Sequence, residues 1–109
     1  MKWNVLYTNE AERDLRSIYE YIAFHLLLPE TAKNITNSII DEIAELDNMT
    51  FRYQVYSREP WKSKGIRFFT VKKYMVFYLP VEKNHTAAII RIMYGGRNIE
   101  KQMSENIEF

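Results

Sequence analysis

Chemistry in this chain has to come from a short inventory. There are no cysteines, which excludes disulfide staples, thiolate zinc sites and cysteine nucleophiles. The two histidines, His25 and His85, have neither a second histidine nor a carboxylate at ligand spacing, so no metal site or cofactor is expected. His25 reads as a helix C-terminal residue and His85 as a solvated turn residue. Ser57, Ser63 and Ser104 lack the context of a nucleophile elbow, and no glycine-rich phosphate loop occurs. What remains is cationic. Arg67 and Arg91 interrupt apolar runs, and Arg97 follows Gly95-Gly96, where the backbone can turn sharply. Gathered on one face, three guanidinium forks would recognise phosphate or carboxylate. The same arginines could instead pair with acidic helices and cover apolar surface with their stems. A second cationic stretch interleaves Phe51, Tyr53, Tyr56 and Trp61 with Arg52, Arg58, Lys62 and Lys64. Such a mixture suits stacking on bases or covering a hydrophobic edge, and packing is the expectation for Tyr53 and Trp61.

These side chains need elements to hold them. Residues 2 to 7 are rich in β-formers and read as a first strand. Asn9 followed by Glu12 reads as a capping box opening a helix, along which Ala11, Leu15, Ile18, Ile22 and Leu26 draw one apolar stripe. Pro29 ends that helix and suits the first position of a second. There Ala32, Ile35, Ile39, Ile43 and Leu46 form the stripe, with Ile40 and Ala44 widening it. An irregular stretch from Met49 to Gly65 follows, long for a structureless loop. Three β-rich runs, 66 to 71, 74 to 81 and 86 to 94, are joined by hairpin-length connections and predict an antiparallel meander. Strict alternation along the last run puts Ile90, Ile92 and Tyr94 on one side and Ile89, Arg91 and Met93 on the other. With the isoleucines under the helices, Arg91 would point out through the open face.

At 109 residues, 47% hydrophobic and 27% charged, the chain has the size and composition of a single packed domain spanning 1 to 109. No apolar run is long enough to span a membrane and the N-terminus lacks a signal-peptide core, so a cytoplasmic protein is expected. The net charge of +1 conceals a partition: residues 1 to 50 hold 4 basic and 9 acidic side chains, residues 51 to 101 hold 11 basic and 3 acidic. Such asymmetry fits a polyanionic or acidic partner for the second half, or compensation between halves across the fold.

The ordered set Ala11, Asp14-Leu15, Ile18, Tyr21-Ile22, Leu28-Pro29-Glu30-Thr31-Ala32, Gly65-Ile66-Arg67, Tyr74, Val76-Phe77-Tyr78 and Ile90 to Ile99 resembles the RelE/ParE superfamily of toxins from bacterial type II toxin–antitoxin modules. The likeness spans residues 3 to 103. It implies an α+β fold of order β-α-α-β-β-β, an N-terminal helical hairpin packed on a twisted antiparallel sheet. It also implies a cognate antitoxin as partner, with DNA reached only through the antitoxin complex. Two activities are known in the superfamily: ParE-like inhibition of DNA gyrase and RelE-like cleavage of mRNA in the ribosomal A site. For the nuclease the resemblance implies Arg67 and Arg97 as catalytic residues, with Tyr94 the nearest substitute for the family's late Tyr or His and His85 a weaker one. For a target or antitoxin face it implies Lys62, Lys64, Arg67, Arg91 and Arg97. Ribosome-targeted members are strongly basic, whereas this chain has a pI near 7.9. That and the run from Arg91 to Asn98 favour ParE-like inhibition. A third reading is a degenerate toxin limited to antitoxin binding and operon autoregulation.

Overall fold

Thr8, one residue earlier than the capping box predicts, starts the first helix in this computed structural model, which describes residues 2 to 95. Its hydroxyl accepts from the Ala11 amide at 3.2 Å and donates to the Ile89 and Ile90 carbonyls, so a single side chain caps the helix and ties it to the sheet. Helix α1 (Asn9–Glu20) continues into a π-helical turn, Tyr21–His25. Helix α2 (Pro29–Ala44) begins with Pro29 at its first position and ends in a 3₁₀ turn, Glu45–Asp47. Of the predicted stripes, Ala11, Ile22, Ala32, Ile39, Ile43 and Leu46 are buried. Leu26, Ile40 and Ala44 are exposed: Leu26 lies beyond the π turn, and the buried face of α2 is narrower than the sequence suggests. Full burial of an Ile or Leu is worth about 2 kcal/mol, enough to hold a helix whose N-cap residue, Leu28, makes no side-chain cap bond.

The strands are β1 (Asn4–Tyr7), β2 (Arg67–Val71), β3 (Tyr74–Val81) and β4 (Thr86–Tyr94), ordered β1-β4-β3-β2. The meander is antiparallel as expected, but β1 pairs parallel to β4, so the sheet is mixed. After β1 the chain passes through α1 and α2 to β2 at the opposite edge and returns along β3 to β4, a long connection of the kind that parallel neighbours require. Under them lie Phe69, Val71, Val76, Tyr78, Ile89 and Ile92. The other face is covered too. Val55 bridges to Arg67 at the edge strand β2, and residues 56 to 66 fold across this face, with a four-residue helix, α3 (Trp61–Lys64), closed by Gly65 at φ +77°. Trp61 is fully buried, its ring 4.6 Å from that of Phe77 and packed with Ile66 and Met93. On the helix side Tyr53 stacks on Phe69 at 4.5 Å. The aromatics expected to pack do so.

Candidate functional site

Of the predicted arginine face, the two members among the described residues, Arg67 and Arg91, are bound to different partners. Register between β3 and β4 shifts between Phe77, opposite Arg91, and Tyr78, opposite Ile89, leaving Ile90 as an extra residue. The bulge breaks the alternation, so Ile89 and Ile92 both pack beneath the helices while Met93 packs on the far face. Arg91 turns to α1 rather than to open solvent. Its Nε and Nη2 donate to the two Asp14 oxygens at 2.7 and 3.0 Å, and Asp14 also accepts from the Ile92 amide at 2.9 Å. Because β1 ends opposite Ile89, the Ile92 amide lies past the end of that strand, and Asp14 supplies its acceptor. Both side chains are only 16% exposed. The alternative in which the arginines pair with acidic helices thus holds for Arg91. Asp14 is the residue sequence reasoning overlooked: three residues after Ala11 and four before Ile18, it stands within the apolar stripe, and a carboxylate there needs a partner.

Arg67 is held elsewhere. Its Nη1 donates to the carbonyls of Tyr53 and Phe51, and its guanidinium lies 5.1 Å from the Phe51 ring centroid. It sits opposite Tyr78 on β3, whereas Tyr94 sits opposite Tyr74, four residues or about 13 Å along that strand and on its other flank. Tyr94 is 39% exposed, with its ring edge-on to Tyr74 at 5.6 Å. Lys62 and Lys64 are exposed on α3, the outer surface of the cover. Arg97 lies outside the described residues. His25 is exposed and stacks on Tyr21, while His85, exposed and left-handed at φ 50°, meets Trp3 edge-on at 5.3 Å. Among the described residues no group of three His, Cys, Asp or Glu could hold a metal ion, and no helix is long and apolar enough to cross a membrane.

Tyr78 and Glu59 titrate according to their local environment, as does Tyr7, whose pKa burial raises. Burial pushes the Tyr78 hydroxyl up to about 12 against the pull of the nearby Arg67 charge, and the hydroxyl donates to the Thr50 carbonyl at 2.8 Å. Glu59 is held below the usual carboxylate range by the Ser63 hydroxyl and amide.

The structure does build a groove of about 700 Å³ between the helical hairpin and the end of β4. Ile18, Ile22, Leu26 and Leu28 wall it on one side, Tyr74 and Tyr94 on the other, and the Asp14–Arg91 pair also lines it. Beside it the hairpin tip exposes Tyr21, Phe24 (68%), Leu27 (76%) and Leu28. Leu27 also has φ 57°, a left-handed conformation that costs a leucine about 1 kcal/mol. Exposed apolar side chains clustered next to a groove have the composition of a docking surface.

The fold and its surface can be set beside known proteins. The model of the family described as "ParE toxin of type II toxin-antitoxin system, parDE" matches residues 5–99. Among solved structures, a chain from a chromosomal ParDE toxin–antitoxin system of P. aeruginosa superposes with a TM-score of 0.70 at 22% identity, over 85% of this chain and 96% of that one. A chain of the toxin–antitoxin complex RelBE2 from Mycobacterium tuberculosis gives 0.64 at 20% identity, over 86% and 99%. A mutant of the E. coli toxin RelE in the free state gives 0.65 at 8% identity, over 96% and 94%. At these identities the likeness is one of fold. No curated protein sequence matches significantly. The family match enters at β1 and runs past the end of β4, through every element described above, and the chain accordingly belongs to the ParE family of toxins of type II toxin–antitoxin systems.

Proposed function

We propose that this toxin arrests growth by ParE-like inhibition of DNA gyrase, and that a cognate antitoxin neutralises it by covering the hairpin tip and the adjoining groove. One observation carries the choice of target. Arg91 is neutralised by Asp14, Arg67 is fastened to backbone carbonyls, and Tyr94 stands at the other end of β3 from Arg67. A nuclease needs proton donors and charge-stabilising groups within about 3 Å of one reacting phosphate. Among the described residues, Arg67 is held by carbonyls and its backbone lies about 13 Å along the strand from that of Tyr94, an arrangement that does not favour that condition. An inhibitor that works by binding needs no such convergence. In this reading Lys62 and Lys64 on α3 face the target, Arg91 holds the fold, and the toxin reaches duplex operator DNA only through the antitoxin complex.

Induction of the chain in bacteria lacking the antitoxin tests the proposal. A DNA-damage response with an unchanged mRNA cleavage profile is expected. Cleavage of mRNA at ribosomal A sites without a DNA-damage response would overturn it in favour of a ribosome-dependent endoribonuclease. Continued growth would favour a degenerate toxin confined to antitoxin binding and operon autoregulation.

A further inference from the structure

Away from the hairpin tip, where β1 and β4 begin, a shallow concavity of about 560 Å³ is lined by Trp3, Asn48, Met49, Thr50, Phe51 and Arg52. Neither of its rings is consumed by the core: Phe51 is 47% exposed and Trp3 half-buried. The rings stand at 89° to each other with centroids 5.3 Å apart, forming an L. A planar heteroaromatic seated in that angle meets one ring face to face and the other at its edge, both favourable aromatic geometries.

Charge is the second, independent observation. The Arg52 guanidinium lies 5.3 Å from the Tyr53 ring centroid, and its Nη1 meets the Met49 thioether at 3.6 Å. Arg67, whose guanidinium lies by the Phe51 ring, is bonded to carbonyl oxygens. All these partners are neutral, so two oriented positive charges stand beside the rings uncompensated; among the described residues no carboxylate pairs with either arginine. Asp47, next to Asn48, is itself answered by Lys2 at 3.7 Å. Exposed rings flanked by unneutralised guanidinium groups are what single-stranded nucleic acid uses: the rings take a base and the forks take phosphates.

We infer that this concavity binds single-stranded nucleic acid, one base entering the angle of Trp3 and Phe51 and a flanking phosphate meeting Arg52. A duplex hides its base faces and cannot make the stack. An acidic polypeptide would engage the charges alone. The site is separate from the hairpin groove and from the choice of gyrase as target, and its test involves neither gyrase nor cells.

Fluorescence anisotropy of labelled 12-nucleotide oligothymidylate and oligouridylate, a duplex of equal length and a polyglutamate chain, each titrated with the purified full chain, decides it. Both single strands should bind at least tenfold more tightly than the duplex or polyglutamate, with affinity falling as salt rises. Phe51→Ala and Arg52→Ala, both at exposed positions, should each weaken binding about tenfold. Phe51→Leu, which keeps apolar bulk but lacks a π face, should weaken it comparably. A preference between the two strands would leave the inference standing and identify the sugar recognised. Absence of binding at low salt, undiminished binding by Phe51→Leu, or equal binding of polyglutamate would each overturn it.

Discussion

Asp14 does at the edge of β4 what an additional strand would otherwise do. One oxygen accepts the Ile92 amide while the Arg91 fork neutralises the carboxylate in a largely buried position. Removing one partner of such a pair leaves the other charge without compensation. Asp14→Ala should therefore lower unfolding free energy by about 3 kcal/mol in urea titrations, and Asp14→Asn by less, since an amide oxygen still accepts from Ile92. Tyr78 supplies the pH dependence. Its hydroxyl has an ordinary value near 10 in the unfolded chain and about 12 in the folded one, so its contribution is complete below pH 10 and disappears as pH rises toward 12. Thermal denaturation across pH 8 to 11.5 should show a fall in Tm above pH 10 that is shallower in Tyr78→Phe. That variant should also lose about 1 kcal/mol at neutral pH, with the hydrogen bond to Thr50.

Among the elements, the helices and the meander were legible because periodicity reports burial directly: α2 begins at Pro29, and β3 and β4 span the predicted runs. The bulge was not, because Ile89 and Ile90 are both apolar and both buried, so hydropathy cannot tell which is the extra residue. The Asp14–Arg91 clamp was equally hidden, its partners lying 77 positions apart with no local spacing to join them. Helix α3 escaped because a single turn has no period to read. Pro29 marks the boundary between the two helices but not the shape of the tip, where the π turn and left-handed Leu27 leave Tyr21, Phe24, Leu26, Leu27 and Leu28 exposed. Leu27→Gly removes the Cβ conflict at φ 57° and should raise stability by up to about 1 kcal/mol in denaturant titrations. If the tip docks the antitoxin, the same substitution should weaken that complex about tenfold by calorimetry. Stability and affinity should move in opposite directions.

On the scale of the whole molecule, the partition of charge read from the sequence acquires a geometry. The acidic half is the helical hairpin, the basic half is the sheet and its cover, and Asp14–Arg91 joins them. The near-neutral total follows, while Lys62 and Lys64 remain on the outer surface of the cover. This arrangement suits a protein that acts by binding one partner and is silenced by another. Gyrase inhibition without cleavage can be measured by adding the purified chain to purified gyrase and relaxed plasmid, with a parallel reaction containing translating ribosomes and mRNA. Loss of supercoiling, reversed by the antitoxin, with mRNA left intact is the expected result. Unimpaired supercoiling together with cleaved mRNA would contradict it.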